Sequence, residues 1–181
     1  APPFVMRPVA ADTDTHGVAV MRCDFGQVLA VCAKRAPAFA QRGLPLDPLL
    51  CVAAAVVEAL LRHPQFHSHW HDGSMRVPRR ISLAISRPCG TRLIENAHDL
   101  NLRGLARAYA RSTAPAARAG SFTLVEAPPE QLWRQPAPGQ GTALVVGAPH
   151  ARPASVREQG AERIGMRPTA LLALAYDIRL A

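Results

Sequence analysis

The chain is almost without lysine: Lys34 is the only one, and its other basic residues are arginines. Aromatics are also scarce, at 5% of residues. The arginines are dispersed, and only "RVPRR" (Arg76 to Arg80) clusters, with no stacking aromatics interleaved. A nucleic-acid-tracking surface is therefore not expected despite the net charge of +8, and a solvated arginine-rich surface is. No apolar run approaches the ~20 residues of a membrane span, and "APPFVMRP" lacks the basic-then-apolar pattern of a secretory leader. The missing initial methionine suggests a processed or trimmed start. Four cysteines (Cys23, Cys32, Cys51, Cys89) include no CxxC pair, so buried free thiols in a reducing cytoplasm are expected.

What is present fits one globular domain. The chain has 181 residues, 49% of them hydrophobic, enough for a sizeable core. Residues 1–17, rich in proline and polar side chains, read as an extended N-terminal arm, and 18–181 as the folded domain. "GVAVMRCDF" (Gly17 to Phe25) reads as a strand. Asp24 is placed to cap a helix over Gln27 to Arg35 that Pro37 ends or kinks. "LDPLLCVAAAVVEALLRHP" is the clearest element: Asp47 caps, Pro48 opens the first turn and Pro64 stops a buried helix. "FHSHWH" alternates like a strand, "DGS" (Asp72 to Ser74) reads as a hairpin turn, and "SMRVPRRISLAIS" continues as strand. "HDLNLRGLARAYARST" reads as a helix with Leu102, Leu105, Ala106 and Tyr109 on one face, His98 and Asp99 capping it. "GSFTLVEA", "GTALVVGAP" and "ALLALAY" are β-runs, the second apolar enough to be central. "PPEQLWRQPAPGQG" is a long loop. With no internal repeat and no regular βαβ period, the class is α+β.

Read together, "HPQFHSHWHDGSMRV", "RISLAISRPCGTRLIENAHDLNLRGLARAYA", "GSFTLVEA", "GTALVVGAP" and "LLALAYDIR" resemble, in this order, the catalytic domain of the dihydrolipoamide acyltransferases of 2-oxo acid dehydrogenase complexes. The likeness covers roughly Val18 to the C-terminus. It implies the chloramphenicol acetyltransferase fold, a mixed sheet flanked by helices, and a homotrimer with active sites between subunits. In that family a histidine within "DHRxxDG" acts as general base, and a serine hydroxyl in "TISN" stabilises the oxyanion. Carried over, Tyr176, Asp177 and Arg179 match. Ile178 takes the histidine's position, Val125 the serine's and Glu126 that of the neighbouring asparagine. Losing a base costs roughly 10²- to 10⁴-fold, and losing an oxyanion donor about 10²- to 10³-fold. Ordinary acyl transfer is not expected, and the lipoyl and subunit-binding segments of complete family members have no counterpart in this sequence.

The resemblance implies a repurposed enzyme. Stand-alone relatives acylate hydroxyls of polyketide-like natural products, so an elongated apolar or acyl-carrier-linked substrate in the intersubunit channel is expected, promoted to cyclise by holding its ends together. A non-catalytic trimeric scaffold and an acyl-CoA-dependent O-acyltransferase with a substitute base are the alternatives. Asp177, Glu126 and His67 are the candidate acids or bases. Thr123, Val125, Ile178, His69, Trp133 and Tyr176 are candidate substrate contacts, and Arg179 is structural, ion-paired with Asp177. The positive surface suits an acidic carrier protein or a CoA-like phosphate. His67, His69 and His71, alternating on a strand, would share one face, but side chains in line on one strand rarely converge on a tetrahedral zinc. Neither metal nor cofactor is implied, and nucleic acid and membrane are not expected as partners.

Overall fold

In the computed structural model, residues 16–72, 74–112, 120–127, 136, 140–158 and 161–180 are described. Among the described residues, seven strands make a mixed sheet with three α-helices on one face, the α+β arrangement expected. The main sheet runs β1 (His16–Asp24), β9 (Ala161–Asp177), β7 (Thr142–Val146), β6 (Phe122–Glu126), β4 (Leu83–Arg87), β5 (Gly90–Ile94), with β8 (His150–Glu158) pairing β9 off this path. β4, β6 and β7 are parallel neighbours, and the remaining pairs are antiparallel. β2 (His69–His71) and β3 (Ser74–Arg76) form a separate hairpin, turning at Asp72 with φ +47°. The arm expected over 1–17 lies outside the described residues as far as 15; His16 and Gly17 already belong to β1.

α2 (Pro48–Arg62) forms where the sequence signals agree. Asp47 Oδ1 accepts from the Leu50 N–H at 2.9 Å, and Pro48 occupies the first turn. Leu49, Leu50, Val52, Ala53, Val56, Val57 and Leu60 are all buried. They meet Leu83, Ile85, Phe122 and Leu124 in the main core, whose burial is the dominant stabilising term. α3 (Leu102–Arg111) lays Leu105, Ala106 and Tyr109 on the same core. Its cap is Asn101, whose side chain accepts from the Gly104 N–H at 3.0 Å. His98 and Asp99 instead lie in a preceding 3₁₀ turn, and His98 Nδ1 accepts from the Ile81 N–H at 3.3 Å.

Four further expectations change. α1 (Gly26–Ala40) continues through Pro37 to Ala40; Asp24 Oδ1 accepts from the Gly26 N–H at 2.7 Å, one place before the helix's first residues expected from sequence. "FHSHWH" is not one strand: Pro64–His67 forms a 3₁₀ turn, because Pro64 fixes a helical φ, and only His69–His71 is extended. The strand expected from Ser74 onward breaks at 77–82, next to Pro78, before β4 begins. The last strand also exceeds "ALLALAY" by nine residues at its start. From Ala161 to Pro168 β9 pairs only with β8, a ribbon in which Arg152 faces Arg167.

Candidate functional site

The C-terminal motif is a buried hook at the end of β9. Asp177 is 5% exposed, and its N–H donates to the Gly141 carbonyl at 2.8 Å. Ile178–Leu180 then turn as 3₁₀. Asp177 Oδ1 accepts from the Arg179 backbone N–H at 3.0 Å and from its Nε at 2.9 Å, and Oδ2 accepts from Nη2 at 2.5 Å. Burial opposes ionising Asp177, but these bonds and the Arg179 charge outweigh it and hold the carboxyl below its ordinary pKa. The same bonds raise the Arg179 pKa. The guanidinium lies over the Trp70 ring, 5.0 Å from its centroid. Leu180 is buried against Gly141 and Ser68, and a Cβ on Gly141 would collide with both. Arg179 and Asp177 thus form the ion pair expected.

Between these two fixed residues, Ile178 is 49% exposed. Its Cγ2 and the Tyr176 ring close over Gly17 of β1, where a Cβ would come within 3.1 Å and 3.0 Å of them. Tyr176 is buried, edge-on to Phe66 with centroids 6.3 Å apart.

Val125 occupies a different place. On β6, Phe122 and Leu124 face the helix-side core, while Val125 and Ala127 join Val145 and Ala173 in a small cluster against Val18. Val125 is in register with Val145, and Val145 with Ala173. Ile178 is five residues beyond Ala173, so roughly 16 Å along the strands and two strand spacings separate it from Val125. Within one protomer the two do not meet.

Other candidates are already committed. Thr123 Oγ1 donates to Gln140 Oε1 at 2.6 Å, and Gln140 Nε2 donates to the Gly120 carbonyl at 2.5 Å. The Thr123 hydroxyl therefore braces the strand entrance. Glu126 projects to the helix side, 3.6 Å from Arg87 Nη1, while Arg87 Nη2 donates to Asp47 Oδ2 at 2.6 Å and its guanidinium lies over Tyr109. Burial opposes the Arg87 charge, but Asp47 and Glu126 outweigh it and raise the pKa. Sequence reasoning missed Arg87; its strand position opposite the Asp47 cap shows only in three dimensions.

His67 is neither exposed nor on a strand. It is 5% exposed in the 3₁₀ turn, and its buried Nδ1 finds no partner among the described residues. Desolvation, with the His98 charge adding to it, lowers its pKa despite an opposing backbone hydrogen bond. His69 is half-buried in β2, and Trp133 lies outside the described residues. Among the described residues no three His, Cys, Asp or Glu side chains come together as a metal site. None of their helices is long and apolar enough to cross a membrane.

Cavities among the described residues border these elements. One of about 340 Å³ lies between α2 and the β1–β9–β7 part of the sheet, lined by apolar side chains including Ala19, Val56, Leu60, Phe66, Leu144 and Leu174. Another, of about 250 Å³, is bordered by Asp47, Pro88, Glu126 and Pro149. Neither touches Ile178 or Val125.

The family model for the 2-oxoacid dehydrogenases acyltransferase catalytic domain matches residues 9–127. The chain is 31% identical over 195 residues to the dihydrolipoyllysine-residue acetyltransferase component of the pyruvate dehydrogenase complex of Mycobacterium bovis, covering 97% of this chain and 34% of that protein. The corresponding component of Corynebacterium glutamicum is 30% identical, over 85% of this chain and 26% of its own length. The chain thus spans about a third or less of these relatives. A probable dihydrolipoamide acetyltransferase from Listeria monocytogenes shares the fold, with a TM-score of 0.77 at 21% identity, covering 92% of this chain and 76% of that one. Chloramphenicol acetyltransferase superposes with a TM-score of 0.59 at 12% identity, over 93% of this chain and 81% of its own. Matched by the family model over more than half of its length, the chain belongs to the catalytic-domain family of the 2-oxoacid dehydrogenase acyltransferases.

Proposed function

We propose that this chain is a trimeric acyltransferase-type core domain that binds an acyl thioester at a subunit boundary but transfers the acyl group only weakly. The observation that carries the reading is the asymmetry of the terminal motif. Asp177 and Arg179 keep the bidentate pair that shapes the turn, while the position between them holds an aliphatic side chain. An isoleucine takes up no proton, and Val125 donates no hydrogen bond to an oxyanion. The separation of the two positions within one protomer is what a site shared between neighbouring subunits requires. Exposed apolar side chains on the β8–β9 ribbon, with Ile164 86% and Met166 63% exposed, supply surface for such neighbours.

The substitute-base alternative has little to draw on. Asp177 is held ionised by Arg179, Glu126 leans on Arg87, and His67 is buried. For cyclisation, the apolar cavity beside α2 offers no support, since neither Ile178 nor Val125 lines it. Calorimetry with acetyl-CoA, paired with chromatographic detection of free CoA in the presence of dihydrolipoamide, tests the proposal. Binding with turnover at least about 10²-fold below that of an intact family member is expected. Turnover equal to that member's would overturn it.

A further inference from the structure

The four cysteines are not equivalent. Cys89 is exposed at the β4–β5 turn, and Cys23 is half-buried on β1. Cys32 of α1 and Cys51 of α2 stand face to face, their sulfurs 3.1 Å apart. Cys32 is the single buried residue of α1, a helix that otherwise touches the core only through partly buried side chains such as Val28 and Phe39. The thiol pair therefore lies within the contact between α1 and α2. A disulfide bond of about 2.05 Å needs the sulfurs to approach by only about 1 Å.

We propose that Cys32 and Cys51 form an oxidisable dithiol, a site at which a small-molecule disulfide takes up two electrons and leaves α1 covalently joined to α2. Cys51, the more accessible thiol, attacks one sulfur of the small disulfide as thiolate and releases the first small thiol. Cys32 then gives up its proton and attacks Cys51 of the mixed disulfide. The Cys32–Cys51 bond forms and the second small thiol departs. The two protein thiols lose two electrons and two protons, and the small disulfide is reduced to two thiols.

The surroundings set the pace of this exchange. Burial, the Cys32 thiol and the Asp47 carboxylate push Cys51 up to about 12, and only Arg35 opposes them. Little thiolate exists at neutral pH, so oxidation is slow and accelerates about tenfold per pH unit over the range well below that value. The exchange is a slow recorder of oxidising conditions. The cross-link closes a loop of 19 residues, for which a rise in Tm of roughly 5–10 °C is expected.

The test incubates the full chain with oxidised glutathione, blocks remaining thiols by alkylation and maps the peptides by mass spectrometry. The expected result is a Cys32–Cys51 cross-linked peptide lighter by two hydrogens, formed faster at higher pH, with the raised Tm reversed by dithiothreitol. Cys51→Ser should lose both cross-link and shift, though the mapping of the unaltered chain decides without it. Glutathione persisting on Cys51 beside a free Cys32, or a cross-link to Cys23 or Cys89, would overturn the proposal.

Discussion

β9 holds two contrasting regions on one strand. From Thr169 to Asp177 it is flanked by β1 on one side and, along much of that length, by β7 on the other, and it ends in the hydrogen-bonded hook over Gly141. From Ala161 to Pro168 it pairs with β8 alone and exposes Ile164 and Met166. The hook is held by close packing and charge-assisted bonds, and the ribbon by a single ladder. Local stability should fall along the strand away from the hook. The contrast teaches where this chain invests its structure: in fixing the backbone of the terminal turn, while the residue at the turn's chemical position stays half-exposed and aliphatic.

Substitutions should separate the two regions in graded steps. Leu180→Ala removes a buried side chain from the hook and should cost about 2–5 kcal/mol, measured by denaturant unfolding. A loss matching a surface change would show that the hook is not packed as described. Gly141→Ala forces a methyl against Leu180 and the Ser68 carbonyl, with about 1–3 kcal/mol expected in the same assay. Acid should also loosen the hook. The Asp177 pKa is depressed in the folded chain, so its contribution is fully present above the unfolded value of about 3.9 and is lost as pH falls through the lower native value. Asp177→Asn should flatten that part of the stability–pH curve, and an unchanged slope would dissociate the pair from folding. The smallest effect belongs to the ribbon. Ile164→Ser should shift unfolding by less than about 0.5 kcal/mol while weakening self-association in sedimentation; unchanged sedimentation would remove the ribbon from the subunit contact.

How much of this was legible in sequence depends on how local the signals were. α2 was readable because Asp47, Pro48 and Pro64 act within a turn of their targets and the apolar run between them is unbroken. The central β-runs were readable because Phe122, Leu124 and Val125 of β6 and Ala143, Val145 and Val146 of β7 are buried, so both short runs are mainly apolar. The ribbon was not: Pro153, Gly165, Pro168 and facing arginines disfavour a strand locally, and strand pairing overrides that preference. The 3₁₀ turn at Pro64–His67 defeated the alternation reading because period two and a tight turn coincide over four residues. At the candidate site, the Asp177–Arg179 pair was visible from two residues' spacing. The distance from Ile178 to Val125, the Arg87 contacts with Asp47 and Glu126, and the meeting of Cys32 with Cys51 arise from topology, which no single stretch encodes.

Reinstating the two missing groups tests the central claim most directly. Free CoA released from acetyl-CoA, with dihydrolipoamide as acceptor, is to be measured for the unaltered chain and for the double variant Ile178→His with Val125→Ser. A gain of at least about 10²-fold in the double variant, with sedimentation unchanged, is the result expected if these positions face each other across a subunit boundary. An unaltered chain already turning over as fast as that variant would contradict the account.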